Sequence, residues 1–173
     1  SLLPGEDGEP DPHIWLDPDN AAAMTRTIAA QLSARYPEDA KTFQENAERY
    51  CSRLLSLKET CSVLLRDLPT RQIITFHDGF SYFARAFDLT IAAAIEEESG
   101  SEASAKDLKE MILLVEQAGL PAVFVEKEGS SAAASVIAAQ TGCRIGTLDM
   151  LLSGSDYFTA LQENAQAIKE AMQ

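Results

Sequence analysis

The sequence predicts an α/β fold: a four-stranded parallel sheet flanked by helices, preceded by one long helix. Three observations predict it. From residue 70 onward, short apolar runs alternate with amphipathic segments of helical period. Over residues 38–66, apolar side chains recur at spacings of 3 or 4 without interruption. Glycine or proline punctuates the junctions, as in Gly119-Leu120-Pro121 and Thr141-Gly142. Strands that alternate with helices pair in parallel, because a parallel pair needs a crossover and the crossover helix covers a face of the sheet.

The elements follow in order. Residues 1–12, SLLPGEDGEPDP, hold Gly, Pro and acid with little to bury, and read as a loop. Asp17-Pro18 has the chemistry of a helix start, with Asp17 as N-cap and Pro18 in the first helical position. A helix over 18–35 then carries Ala22, Met24, Ile28, Ala29 and Leu32 as its apolar face. Pro37 restarts the chain. The 38–66 pattern places Phe43, Ala47, Tyr50, Leu54, Leu57, Cys61 and Leu64 on one side, and at ~1.5 Å per residue it spans roughly 43 Å, the length of a coiled-coil partner or of a rigid strut. Strands are predicted at Gln72-Phe76, Leu89-Ala94, Ala122-Glu126 and Arg144-Leu148, with helices near 79–87, 104–118, 130–141 and 156–172. Glycine just past a helix accepts the left-handed backbone that ends it, which accounts for Gly119 and Gly142.

Composition narrows the function classes. A chain of 173 residues, 46% of them hydrophobic, buries one real core and falls short of two large domains. A net charge of −13 argues against nucleic acid as a partner, since like charges repel, and suits either a cation-binding protein or one that is simply well solvated. No apolar run approaches the ~20 residues of a membrane span, and Ser1-Leu2-Leu3-Pro4 has none of the features of a signal peptide. The three cysteines lack C-x-x-C spacing. Cys51 and Cys61 share a helix and lie about 15 Å apart along it, so a disulfide would have to involve Cys143; buried free thiols are the expectation.

In an open parallel sheet, ligands bind beyond the carboxyl ends of the strands. The residues found there are His77-Asp78-Gly79, Glu96-Glu97-Glu98, Glu126 and Asp149. The chain has 2 histidines, His13 and His77, both in turn sequences. Imidazole nitrogen with carboxylate oxygen is a common zinc donor set. A lone histidine is more often structural than ligating, so the residues by themselves leave both roles open. Glu96 to Glu98 and Glu126 are expected to be solvated loop carboxylates, and Asp149 either joins the site or caps the turn after its strand. No Gly-rich phosphate loop follows the first strand. Ser130-Ser131 sits where a helix N-cap belongs and has no partner histidine at suggestive spacing. A metal-assisted hydrolase built on His77 and Asp149 lacks a nucleophile, so it stands second, with an adhesive or structural domain without metal behind it.

The motif Asp11-Pro12-His13-Ile14-Trp15-Leu16-Asp17-Pro18 resembles the DPHxWLDP signature of the metal-binding solute-binding proteins of zinc and manganese ABC importers, cluster A-I. The resemblance continues in order through Thr75-Phe76-His77-Asp78-Gly79-Phe80-Ser81-Tyr82-Phe83, Glu102-Ala103-Ser104-Ala105-Lys106-Asp107-Leu108, Val123-Phe124-Val125-Glu126, Gly146-Thr147-Leu148-Asp149 and Asp156-Tyr157-Phe158. The first motif is highly specific; the others are weak singly and convincing together.

The resemblance implies a protein of two α/β lobes joined by one long helix, with the metal held between them. In those terms residues 1–17 are a loop with a metal-ligand motif, 18–37 a helix of the first lobe, 38–66 the inter-lobe helix and 67–173 the C-terminal lobe. It implies His13 as a ligand from the first-lobe side, His77 as a second-lobe ligand and Asp149 as the carboxylate that completes the site. Histidine at position 77 resembles the zinc branch, where the manganese branch tends to place Glu, and softer imidazole suits Zn2+ ahead of Mn2+. It further implies a non-enzymatic, extracytoplasmic protein, periplasmic or at the cell surface with or without a lipid anchor, that hands a divalent metal to an ABC permease. A first lobe with another histidine ligand is expected before residue 1. Without it, the apolar face of the 18–35 helix is expected to dimerise, repack or lose order. The proline that often follows the family's strand-end Glu and Asp is replaced by Lys127 and Met150.

Overall fold

The four strands are the apolar runs in which alternate side chains serve two different cores. The computed structural model describes residues 2–5, 9–96, 104–150, 154 and 156–173. Strands β1 (Gln72–His77), β2 (Thr90–Glu96), β3 (Ala122–Glu126) and β4 (Arg144–Leu148) form one sheet in the order β2-β1-β3-β4. All three pairings are parallel. Ile73, Ala122 and Phe124 face one core, and Ile74, Phe76, Val123 and Val125 face the other. This is the period of 2 expected of a strand buried on both sides.

The helices are α1 (Pro18–Arg35), α2 (Ala40–Leu64), α3 (Ser81–Ala86), α4 (Ala105–Ala118), α5 (Ala132–Thr141) and α6 (Tyr157–Met172). The first core is closed by Leu57 and Cys61 of α2, Phe83 of α3 and Leu161, Ala165 and Ile168 of α6. The second is closed by Val115 of α4 and Ala134 and Ile137 of α5. Gly119 (φ 60°) and Gly142 (φ 76°) end α4 and α5 in the left-handed conformation, as their positions predicted. A reciprocal capping box between Ser104 and Asp107 starts α4 and holds the Asp107 carboxyl below its ordinary range.

Three expectations change in detail. β1 includes His77, and β2 runs from Thr90 to Glu96 instead of 89–94, because the edge strand stays paired to β1 as far as His77↔Glu96. The 38–66 helix is shorter, Ala40–Leu64, since Pro37–Asp39 form a separate 3-10 turn. The single apolar face expected of α1 is split. Ala22 and Ala29 are buried, Ala22 against Cys51 and Leu54 of α2, whereas Met24, Ile28 and Leu32 form a second stripe, 39%, 58% and 37% exposed. At ~100° per residue, Ala22 and Met24 are roughly 200° apart around the helix, so one neighbour cannot cover both. Glu97, Glu98, Glu102 and Ala103 lie outside the described residues.

Candidate metal-binding site

The loop that carries the first motif is fastened across the carboxyl edge of the sheet. Asp17 caps α1, accepting from the Asp19 N–H at 2.9 Å, and its other oxygen lies 2.8 Å from Arg85 Nη2 on α3. Leu16 is fully buried beneath the loop. Trp15 Nε1 donates to the Met150 carbonyl at 3.0 Å, and the Tyr157 hydroxyl at the start of α6 donates to the Trp15 carbonyl at 2.8 Å. Burial raises the Tyr157 hydroxyl well above its ordinary pKa, which keeps it a donor.

Within the loop, one oxygen of buried Asp11 accepts from the His13 backbone N–H at 2.8 Å and lies 2.8 Å from His13 Nδ1. A carboxylate on Nδ1 orients the ring and leaves Nε2 for a ligand. Facing it is His77, the last residue of β1, with Nε2 to Nε2 at 3.3 Å and ring planes at 89°. The parallel register that pairs Thr75 with Phe124 sets Glu126 level with His77, and Glu126 Oε1 is 3.9 Å from His77 Nε2. His77 Nδ1 and Thr75 Oγ1 are both buried without a hydrogen-bond partner. Gly79 makes room for this ring: a Cβ there would stand 2.6 Å from His77 Cδ2, 2.8 Å from its Nε2 and 2.6 Å from Met150 Cε.

Asp149 follows β4 at the same edge. Its N–H donates to Asn164 Oδ1 and its carbonyl accepts from Asn164 Nδ2, both at 2.7 Å, which ties it to α6. One carboxylate oxygen is 3.4 Å from Lys127 Nζ. Of the three residues expected to bind metal, His13 and His77 are in contact, while Asp149 is held by Lys127 and Asn164. Among the described residues, no three His, Cys, Asp or Glu side chains gather closely enough to hold an ion. Glu126, expected to be a solvated loop carboxylate, has a side chain only 13% exposed and sits beside His77. Its strand-end position was visible in the sequence; its burial beside His77 was not. Asp11 and Gly79 were visible only as parts of motifs.

The two imidazoles are spaced as zinc ligands are. Zinc binds histidine at ~2.0–2.1 Å in a tetrahedral shell, so two of its nitrogen ligands stand ~3.3–3.4 Å apart. The separation here is 3.3 Å.

The sequence matches the family model "Zinc-uptake complex component A periplasmic", ZnuA, over residues 3–171. The chain belongs to this family. It is 28% identical over 167 residues to the zinc-binding protein AdcA of Streptococcus pyogenes serotype M6, an alignment covering 92% of this chain and 32% of AdcA. It is 28% identical over 170 residues to the high-affinity zinc uptake system protein ZnuA of Brucella abortus, covering 95% and 51%. A crystal structure of ZnuA superposes with a TM-score of 0.89 at 32% identity, covering all of this chain and 66% of that one. The chain thus spans a third to a half of the length of these curated relatives. Among the described residues, no helix of this ZnuA family member is long and apolar enough to cross a membrane.

Proposed function

We propose that the protein captures a divalent transition metal outside the cytoplasm, Zn2+ ahead of Mn2+, and delivers it as cargo to an ABC import permease. In this reading it is not an enzyme. His13 and His77 supply imidazole nitrogens, Asp149 supplies a carboxylate, and Glu126, with Oε1 3.9 Å from His77 Nε2, offers a second one. Residues 67–173 are the C-terminal lobe, 38–66 the inter-lobe helix, and 18–37, with the open stripe of Met24, Ile28 and Leu32, the part that belongs with a first lobe.

The observation that carries the reading is the 3.3 Å separation of two Nε2 atoms, one oriented by Asp11 and the other at a strand end. Two neutral imidazoles in direct contact also form an ordinary N–H···N hydrogen bond, so the test must be metal itself. Calorimetric titration with zinc is expected to show one site that is lost in His77→Ala and weakened at least tenfold in His13→Ala. Undiminished binding by both variants would refute the assignment.

A further inference from the structure

The metal-binding edge holds a cation of its own. The Asp149 side chain is 7% exposed, and its Oδ2 lies 3.4 Å from Lys127 Nζ, while the Lys127 side chain is 44% exposed. A carboxylate this buried needs a cation or several donors close by, because burial penalises its charge. The sheet register puts the lysine where it can serve. β3 and β4 pair in parallel as far as Glu126↔Leu148, and the Lys127 N–H donates to the Leu148 carbonyl at 2.9 Å. Lys127 and Asp149 therefore leave the sheet side by side, one step beyond the level of His77 and Glu126.

We propose that Lys127 is a displaceable counter-ion that competes with the metal for Asp149 and so sets the affinity of the site. This rests on the proposed metal-binding function. A dication ligated by Asp149 would face the ammonium across one carboxylate at a few ångströms, where like charges repel strongly. The two cations exclude each other. Lysine suits a yielding role, since its compact ammonium is strongly hydrated and rides on a flexible stem already half in water, whereas a guanidinium would clamp the carboxylate in a planar fork. In the metal-free protein Lys127 neutralises the buried acid; on capture it swings outward, and on release it returns. The cost of that exchange lowers affinity and eases unloading.

The test is a set of zinc affinities measured by competition with a chelating dye, with the metal-free melting temperature of each variant recorded alongside. Lys127→Met is expected to bind zinc about tenfold more tightly than the wild-type chain, and Lys127→Arg no more tightly. The gain is expected to vanish when Lys127→Met is added to Asp149→Asn, the double variant binding zinc no more tightly than Asp149→Asn alone. Metal-free melting temperatures of the four cycle members are expected to be non-additive, reporting the ion pair independently of zinc. Circular dichroism verifies folding, and Lys127→Gln repeats the measurement should the methionine variant not fold. Unchanged or weaker zinc binding in the folded neutral variants, with wild-type binding intact and His77→Ala abolishing it, would overturn this role for Lys127 and leave the proposed function standing. Loss of zinc binding from the wild-type chain itself would overturn both, and additive melting temperatures would remove the ion pair on which the role depends.

Discussion

Arg85 Nη2 lies 2.8 Å from Oδ2 of Asp17, joining the N-cap of α1 to α3. One carboxylate thus does two local jobs: it satisfies a free N–H at the helix start and pairs with a cation of the lobe. Asp17→Ala is expected to cost about 2 kcal/mol, mainly as a lost cap and a lost charge-assisted hydrogen bond. Asp17→Asn, which can still cap, should lose less. Urea denaturation measures both, and equal stability of Asp17→Ala and wild type would show that the loop is held by its other contacts.

Two glycines predict opposite outcomes. Gly146 is level with Phe124, and a Cβ there would stand 2.5 Å from the Phe124 ring inside the first core. Gly146→Ala should therefore destabilise the fold, by about 1–3 kcal/mol as overpacking does. Gly79→Ala instead meets the His77 ring and the flexible end of Met150. It should turn the imidazole away and weaken zinc binding with a smaller loss of stability. Parallel melting and zinc titrations of the two variants separate these effects; weaker zinc binding in neither would contradict the geometry.

Arg71 has its guanidinium against the carbonyls of Leu65, Phe87 and Asp88, joining the end of α2 to the turn before β2. Asp88 adopts φ 55°, a left-handed backbone that non-glycine residues seldom enter. Arg71→Ala should lower stability by about 2 kcal/mol through carbonyls left without a charged donor. Asp88→Gly, relieving the backbone, should cost little or be stabilising. Denaturation midpoints of the two variants check the pair of signs.

Cys61 is fully buried, and burial pushes its thiol up to about 11. In the unfolded chain the same thiol ionises near 9, so between these values the unfolded state has lost a proton that the folded state keeps. Stability is then whole below pH ~9 and falls as pH rises toward about 11. Tyr157, also raised by burial, steepens the upper part of that fall. Cys61→Ala should flatten the curve between pH 9 and 11 in thermal denaturation. An identical pH dependence in the variant would show that other groups govern alkaline unfolding.

Most of the fold was legible because it rests on local pattern. Alternation along Ile73-Ile74-Thr75-Phe76, the Asp17-Pro18 start and the helix-ending glycines Gly119 and Gly142 each state their structure within a few residues. The end of β2 was not, since Ala92-Ala93-Ala94 carries a weak strand signal and pairing to β1 extends it to Glu96. The split of α1 follows from which side α2 occupies, a tertiary fact. At the candidate site, His13 and His77 were legible from motif and strand end. Their contact, the burial of Glu126 and the approach of Lys127 to Asp149 depend on sheet register and on a loop crossing from 64 residues away in the chain, which no local pattern encodes.

Zinc K-edge X-ray absorption on the zinc-loaded chain reads the metal's own ligands. Two imidazole ligands are expected with Zn–N near ~2.0–2.1 Å, the rest of the shell filled by oxygen, and one imidazole fewer in His13→Ala. A shell containing sulfur, or a spectrum without imidazole scattering that His13→Ala leaves unchanged, would contradict it.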